Sequence, residues 1–248
     1  MKSKVKFDAI IQARMSSYRM PGKVMKKIKS KPILWYQIQR LKKIQSVKRI
    51  FISTTDKKTD DVIEKFCKQN DVNCFRGSEK NCIKRIVDTI MYNNLENIIF
   101  LTGDCPIIDV KIIQKAMKLF NLQKYEYVGN SFVRSYPDGM DVQIFKKKTI
   151  LKAYKLAKSK LQKEHVTLSI KQNSTKFKIL NFTSPKNVFY PELGLTLDQK
   201  EDFDLIKKIL SYFLNKNFFF SCLDIINLLK NKPEWVEINR HVKRKGDN

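Results

Sequence analysis

Residues 8–23 read DAIIQARMSSYRMPGK, a short apolar run followed at once by a polar loop. The apolar run predicts a buried β-strand over 9–11. The loop carries three cations and two hydroxyls, which are Arg14, Arg19, Lys23, Ser16 and Ser17. Arginine offers phosphate a planar fork of donors and lysine a compact charge, and open α/β sheets bind ligands at loops that follow strands. The segment therefore predicts a polyanion site after the first strand, with a triphosphate as the first candidate.

Outward from this loop, strand and helix patterns alternate through the first half of the chain. Apolar runs predict strands at 49–54, 72–75 and 97–102. Apolar residues at helical spacing predict helices opened by Pro32 and at 60–70, 80–92 and 112–120. This alternation predicts an α/β fold of three layers, Rossmann-like, with a mostly parallel, mixed sheet.

The second half is less regular. Its patterns predict strands at 125–130, 140–145 and 177–182, and helices at 149–157, from near 163 and at 199–214. The chain contains no Gly/Ser/Pro-rich linker and no internal repeat. We therefore expect a single domain over 1–248, in which the basic tail 240–248 is solvated or frayed.

The composition of the chain excludes several classes of protein. Fifty Lys and Arg against 24 Asp and Glu give a net charge of +26, but the lysines are dispersed over predicted helix faces. Compositional bias explains this charge better than a nucleic-acid partner does, and no recognition motif accompanies it. No apolar run approaches the ~18 residues of a membrane span, and no signal-peptide core precedes the first strand, so we expect a cytoplasmic protein without a membrane partner.

Several common sites are absent from the sequence. The five cysteines form no CxxC pair and there are two histidines, which argues against a zinc site or a disulfide framework. Gly22-Lys23 lacks the spaced glycine of a P-loop, and no GxGxxG follows the first strand. A P-loop kinase or a dinucleotide-dependent dehydrogenase is therefore disfavoured.

Two carboxylates are candidates for a metal site. Asp104 directly follows the strand at 97–102, where it either caps a turn or faces the ligand crevice. Asp198 precedes a predicted helix, in whose acidic first turn Asp202 has a separate role. Carboxylates on separate segments can hold Mg²⁺ together with substrate phosphates, so the pair favours the metal interpretation.

The remaining polar motifs leave alternatives open. In residues 76–81, Arg-Gly-Ser-Glu-Lys-Asn, Ser78 or Asn81 can cap the next helix, or Arg76 and Ser78 can contact a nucleotide, and the sequence alone favours the cap. The segments YPDGMD at 136–141 and EHVT at 164–167 supply further polar groups. A single histidine such as His165 is more often structural than catalytic.

Together these segments resemble the cytidylyltransferases of the spore coat polysaccharide biosynthesis protein F type, relatives of CMP-Kdo and CMP-acylneuraminate synthetases. The resemblance spans about 7–239 and rests on IIQARMSSYRMPGK, FRGSE, LTGDCPIID, YPDGMDVQIF, EHVT and LTLDQKEDFDLI. It implies a nucleotide-diphosphosugar transferase fold with a nucleotide half at 6–122 and an acceptor half at 123–239. It also implies transfer of CMP from CTP to a sugar or sugar acid with release of pyrophosphate, and a possible homodimer.

The resemblance also implies a role for each matching residue. Arg14, Arg19 and Lys23 would be catalytic by stabilising the charge that develops on the triphosphate, and Asp104 and Asp198 would bind Mg²⁺. The nucleotide site would comprise Gln12, Ala13, Ser16, Arg76, Ser78 and Gly103. The acceptor side would comprise Asp138, Asp141, Glu164 and His165.

Two positions depart from the family pattern. Gly194 stands where relatives often carry arginine, and Leu168 replaces a common proline after EHVT. Both lie in the acceptor half, so they bear on the acceptor more than on the chemistry. Two alternatives stay open, which are a related nucleotidyltransferase with another nucleotide or a non-sugar acceptor and, remotely, a non-catalytic nucleic-acid-binding protein.

Overall fold

The structure is a computed structural model that describes residues 5–243. The strands in this part of the chain are β1 (Phe7–Gln12), β2 (Lys27–Ile28), β3 (Lys31–Pro32), β4 (Val47–Thr55), β5 (Asn73–Gly77), β6 (Asn97–Thr102), β7 (Tyr127–Gly129), β8 (Gln143–Lys146) and β9 (Ile179–Asn181). The α-helices are α1 (Ile33–Lys42), α2 (Asp61–Gln69), α3 (Cys82–Tyr92), α4 (Val110–Phe120), α5 (Lys147–Leu156), α6 (Lys160–Glu164), α7 (Leu168–Gln172), α8 (Lys200–Phe213), α9 (Cys222–Lys230) and α10 (Pro233–Val236).

Seven strands form one mixed sheet in the order β5-β4-β1-β6-β8-β7-β9. The first four of these pair in parallel, whereas β8 is antiparallel to both β6 and β7, and β9 is parallel to β7. The β6–β8 pairing joins the first half of the chain to the second within one sheet. The predicted α/β fold with a mostly parallel, mixed sheet is confirmed.

Alternate residues of the central strand supply the two faces of the sheet. Ala9 and Ile11 pack in one buried cluster with α1, α4, α8 and α9, and Ile10 packs in another with α3, α5 and α7. Successive side chains of a strand point to opposite faces, so a strand buried on both sides needs a continuous apolar run. The result is the predicted three-layer arrangement.

The register of the two central strands brings two loops together. Gln12 at the end of β1 pairs with Thr102 at the end of β6, and the Gly103 N–H donates to the Gln12 carbonyl at 2.8 Å. A Cβ on Gly103 would lie 3.0 Å from the Ala13 Cβ, so a larger residue would push these loops apart. The loop after β1 and the loop after β6 therefore share one edge of the sheet.

The structure contains elements for which the sequence interpretation made no provision. These are the short hairpin β2–β3 and the helices α9 and α10. Pro32 is the residue before α1 rather than its first helical residue. Ser221 and Asp224 form a reciprocal capping box at the start of α9, a signal that the sequence carries.

The basic tail differs in part from expectation. Val242 is buried, whereas Arg240, His241 and Lys243 are exposed. Residues 244–248 of the predicted tail lie outside the described residues. Within the described chain, no helix combines the length and apolarity that crossing a bilayer requires.

Candidate active site

The loop after β1 is held by a hydrogen bond across its own ends and by a second one to Asp60. The Gly22 N–H donates to the Met15 carbonyl at 2.8 Å, and Gly22 adopts a left-handed φ of 70°. The Met15 N–H in turn donates to Asp60 Oδ1 at 2.9 Å. Glycine adopts positive φ at no steric cost, which explains its place at this turn. The polar side chains of 14–23 are thus presented by a fixed loop.

Asp60 is a buried anchor for this loop. Its Oδ2 accepts hydrogen bonds from the Thr54 and Thr55 hydroxyls, both at 2.7 Å, and from the Thr55 N–H at 3.0 Å. Burial alone would raise the pKa of Asp60, but these hydrogen bonds and that from Met15 outweigh it and lower the pKa. The carboxylate is therefore charged when it holds the loop.

Lys23 lies at the centre of the site. Its Nζ donates to Asp104 Oδ2 at 2.8 Å, to the Leu197 carbonyl at 2.6 Å and to Asp198 Oδ1 at 3.0 Å. Burial would lower the pKa of Lys23, but the charges of both carboxylates outweigh it and raise the pKa. Burial would likewise raise the pKa of Asp104, whereas Lys23 lowers it. The Lys23 ammonium and the Asp104 carboxylate thus keep each other charged.

Arg19 completes this cluster. Its NH2 lies 2.7 Å from Asp198 Oδ2, and its NH1 donates to the Lys243 carbonyl at 3.1 Å. Two cations and two carboxylates, Arg19, Lys23, Asp104 and Asp198, therefore meet at the carboxyl ends of β1 and β6. The structure thus brings two of the three predicted catalytic residues, Arg19 and Lys23, together with both predicted metal-binding residues.

Backbone pairing places Asp198 beside Asp104, although 94 residues separate them in the sequence. The Leu197 N–H donates to the Asp104 carbonyl at 2.8 Å. At the start of α8, Asp202 Oδ2 accepts from the N–H groups of Asp198 and Gln199 at 3.0 and 2.9 Å. Asp202 is the N3 member of a capping box, which confirms its separate role in the first turn.

The two carboxylates fit a divalent cation that a substrate would help to hold. Asp104 and Asp198 converge on one cation, the Lys23 ammonium, from two segments. Among residues 5–243 there is no group of three or more His, Cys, Asp and Glu side chains that could hold a metal alone. Mg²⁺ commonly binds one or two carboxylates plus substrate phosphates, so this donor set suits it.

Arg14 belongs to the same loop as Arg19 and Lys23 but has other, more distant partners. Its NH2 is 3.7 Å from Glu164 Oε1, and its NH1 is 3.9 Å from Cys82 Sγ.

Ser16 donates to Glu79 Oε1 at 2.8 Å, and Glu79 pairs with Lys57 at 2.6 Å. Hydrogen bonds from Lys57 and Ser16 lower the pKa of Glu79. Glu79, to which the sequence analysis gave no role, therefore holds Ser16 by a hydrogen bond.

The FRGSE segment has structural partners of its own. The Arg76 guanidinium donates to the Thr55 and Lys57 carbonyls and pairs with Asp61 and Glu64 of α2 at 2.7 and 2.6 Å. These contacts direct Arg76 toward α2, and a nucleotide contact by Arg76 stays a prediction.

The helix cap in this segment is confirmed. Asn81 is the N-cap of α3 and accepts from the Lys84 N–H at 3.0 Å. Ser78 accepts from the Asn81 N–H at 3.2 Å. Ser78 therefore belongs to the start of α3, and its nucleotide contact also stays a prediction.

On the acceptor side, two predicted acids share one arginine. Arg134 NH1 lies 3.0 Å from Asp138 Oδ1, and both terminal nitrogens of Arg134 contact the Asp141 carboxylate at 3.2 Å. Burial would lower the pKa of Arg134, but the two acids raise it. Burial raises the pKa of Asp141 despite Arg134, and the charge of Asp104 adds to that rise. Arg134 is a site residue that the sequence interpretation missed.

A turn beside these acids requires glycine. Gly139 has a φ of 98°, and a Cβ there would lie 2.5 Å from the Leu195 backbone. The Asp138 N–H donates to the Leu193 carbonyl at 2.9 Å, and the Leu195 N–H donates to the Asp138 carbonyl at 2.7 Å. The turn therefore packs against the same strand-like segment that delivers Asp198.

The other acceptor-half residues lie at several distinct places. Glu164 ends α6, and its Oε1 lies 3.7 Å from NH2 of Arg14 in the loop after β1. His165 follows α6 as its C-cap and is exposed. Leu168 begins α7, and the buried Gly194 accepts a hydrogen bond at its carbonyl from Asn239 at 3.0 Å.

Comparison with known proteins agrees with this arrangement. Residues 9–225 match the cytidylyltransferase family. An uncharacterized protein of Methanocaldococcus jannaschii is 32% identical over 242 residues, 98% of each chain. The spore coat polysaccharide biosynthesis protein SpsF of Bacillus subtilis is 29% identical over 230 residues, 91% of this chain and 94% of SpsF.

A solved structure extends the comparison to the fold. The structure of a cytidylyltransferase from Leptospira borgpetersenii matches with a TM-score of 0.88 and 32% identity, over 97% of this chain and 99% of that one. Since the family match covers most of the chain and carries the loop, Asp104 and Asp198 with it, the protein belongs to the cytidylyltransferase family and is a nucleotidyltransferase.

Proposed function

We propose that the protein transfers CMP from CTP to a hydroxyl of a sugar or sugar acid of the Kdo or nonulosonate kind, in an Mg²⁺-dependent reaction that releases pyrophosphate. The observation that carries this proposal is the meeting of Arg19, Lys23, Asp104 and Asp198 at one edge of the sheet, with Arg14 on the same loop as Arg19 and Lys23. A role in making surface polysaccharide is supported by the likeness to SpsF, whose name states such a role.

In the proposed reaction, the acceptor oxygen attacks the α-phosphorus of CTP. A new P–O bond forms, the bond from the α-phosphorus to pyrophosphate breaks, and the hydroxyl proton passes to solvent. We assign no general base. Arg14, Arg19 and Lys23 would stabilise the charge that develops on the phosphate oxygens, which is electrostatic catalysis by donors held in advance.

Asp104 and Asp198 would hold the magnesium ion. When bound, Mg²⁺ would neutralise phosphate charge and polarise the reacting oxygens. The carboxylates now neutralise Lys23 and Arg19, and a metal that took over this role would leave both cations available for the triphosphate.

The substrate sites follow the resemblance. The nucleotide would lie against residues at the carboxyl ends of β1 and β5 and in the loops after β1, β5 and β6, which are Gln12, Ala13, Ser16, Arg76, Ser78 and Gly103. The acceptor would lie toward Asp138, Asp141, Glu164 and His165. We further propose a cytoplasmic enzyme, a homodimer, and no nucleic-acid partner.

The test is pyrophosphate release from CTP and Mg²⁺ against a panel of Kdo, nonulosonic acids and neutral sugars, with Asp104→Ala as the inactive control. Release that needs CTP, Mg²⁺ and one acceptor supports the proposal. Stronger thermal stabilisation by UTP or ATP than by CTP would favour a different nucleotide, because a ligand that binds the folded state stabilises it. No release and no CTP binding would overturn the proposal.

A further inference from the structure

Residues that follow the family match in the sequence contact the segments that carry the site residues. The match ends at residue 225, whereas Asn239 lies 14 residues further along the chain and is 2% exposed. Its side-chain Nδ2 donates to Asp202 Oδ1 at 2.7 Å and to the Gly194 carbonyl at 3.0 Å. Asn239 therefore ties two points of the segment that carries Asp198.

Asp202 links Asn239 to the backbone of Asp198 by hydrogen bonds. Asp202 is fully buried, and while its Oδ1 faces Asn239, its Oδ2 accepts from the Asp198 and Gln199 N–H groups. The Asp198 carboxylate then holds Arg19 and Lys23. A continuous chain of hydrogen bonds thus runs from the C-terminal segment to the two cations.

A second contact joins the same C-terminal segment to Arg19 in the loop after β1. The Lys243 carbonyl accepts from Arg19 NH1 at 3.1 Å, while Arg19 NH2 holds Asp198. The C-terminal segment therefore touches both sides of the Arg19–Asp198 ion pair, one directly and one through Asp202.

We infer that Asn239 is a positioning residue for the nucleotidyl-transfer site, acting through Asp202 on Asp198. An asparagine amide suits this place because its two N–H donors meet two acceptors, a carboxylate and a carbonyl, at once. A leucine of similar size would leave both acceptors without this donor inside the protein. As far as turnover is concerned, this inference rests on the proposed function, but the placement of Asp198 can be measured without it.

The experiment compares Asn239→Leu with two controls. Asn231→Leu makes the same change at an exposed position of the same region, and Leu229→Ala destabilises the buried face of α9 without touching the chain of hydrogen bonds. The first readout is amide hydrogen exchange at Asp198 and Gln199 relative to Ile99 in β6. The second is turnover with CTP at a temperature where each variant is folded.

We expect Asn239→Leu to speed exchange at the two amides about tenfold relative to Ile99. Turnover should fall about tenfold or more, because small misplacements of catalytic groups are costly. Both controls should keep the relative exchange rates and the turnover of the wild type. Asn239→Ser, which keeps a hydroxyl donor one bond short of the position of the amide nitrogen, should fall between Asn239→Leu and the wild type, and it carries the test if the leucine variant does not fold.

Three results bear on the inference differently. Wild-type exchange and turnover in folded Asn239→Leu would overturn it, as would a turnover loss no larger than that of Leu229→Ala. Wild-type protein that releases no pyrophosphate would overturn the proposed function, while the exchange comparison would still support or overturn the placement of Asp198 by Asn239.

Discussion

Lys23 Nζ lies 2.8 Å from Asp104 Oδ2, so the last cation of the loop after β1 is paired with the first carboxylate after β6. The Lys23 side chain is 11% exposed and that of Asp104 is 24% exposed. Removing one partner of a largely buried ion pair leaves the other charge without compensation, which costs more than the pair contributes. We therefore expect the loss of Lys23 to lower the free energy of unfolding as well as turnover.

The first prediction concerns Lys23. We expect Lys23→Met to lower the free energy of unfolding by about 3 kcal/mol, the low end for a broken buried pair because Asp104 is partly exposed. Turnover should fall by about 10²–10³-fold, since one electrostatic donor is lost. Chemical denaturation and pyrophosphate release check the two effects. Lys27→Met, at an exposed position, should change neither, and wild-type stability of Lys23→Met would contradict the prediction.

The second prediction is that replacing Arg14 lowers turnover but leaves the free energy of unfolding almost unchanged. Its contacts to Glu164 and Cys82 are long, at 3.7 and 3.9 Å, so Arg14→Ala should change the free energy of unfolding by less than about 1 kcal/mol. Turnover should nevertheless fall by about 10²–10³-fold. Arg49, which contacts both oxygens of Asp8 at 2.8 and 2.9 Å, is the matched control. Arg49→Ala should lose stability and keep turnover, and unchanged turnover in Arg14→Ala would refute the role.

The seven strands of the main sheet and the polar loop after β1 were predictable from the sequence because the signals are local. The run at 97–102 coincides with β6, since a strand buried on both faces requires consecutive apolar residues. The capping box of Ser221 and Asp224 is equally local, and it would have predicted α9.

The partners of the site residues were not predictable in this way. Asp60 lies 45 residues from Met15, and Asn239 lies 37 residues from Asp202. Which buried donor meets which acceptor depends on how the loops pack, and no period or spacing in the sequence records it. Arg76 is a further example, because the local motif around it does not record the ion pairs that its guanidinium forms with Asp61 and Glu64 of α2.

Arg134 provides a test of the acceptor side. It compensates Asp138 and Asp141, and Arg134→Gln would leave these two acids facing each other with reduced compensation. We expect the KM for the acceptor to rise about tenfold or more, while stabilisation by CTP stays unchanged, because Arg134 pairs with the acceptor-side acids. Steady-state kinetics and thermal shifts separate these effects. Arg240→Gln, which breaks an exposed ion pair with Glu237, should leave both unchanged, and a loss of CTP binding in Arg134→Gln would contradict this assignment.

Gly139 tests the turn that packs against the Asp198 segment. Gly139→Ala combines a positive φ with a Cβ 2.5 Å from the Leu195 backbone, so we expect a loss of stability of about 1–3 kcal/mol, as for other strained backbone positions. Turnover should fall as well, because Leu195 is part of the segment that ends at Asp198. In Gly77→Ala the new Cβ meets side chains at 3.2 Å or more, and the loss of stability should be smaller. Equal losses in the two variants, measured by chemical denaturation, would count against strain at Gly139.

The last prediction uses pH to test whether the charge of Asp60 holds the loop after β1. The Asp60 carboxylate accepts four short hydrogen bonds, of 2.7 to 3.0 Å, so Asp60→Asn would set amide hydrogens against these donors and lower the free energy of unfolding by about 1–3 kcal/mol near neutral pH. The pKa of Asp60 is lowered from 3.8 in the folded protein. The stabilisation by its charge is therefore present above the unfolded-state pKa and is lost as pH falls through the folded-state pKa. The stability gap between wild type and Asp60→Asn should narrow on acidification below about pH 4, as denaturation midpoints from pH 7 to 3 would show. Asp56→Asn, at an exposed neighbouring position, is the control, and a gap that stays constant with pH would mean that Asp60 does not hold the loop through its charge.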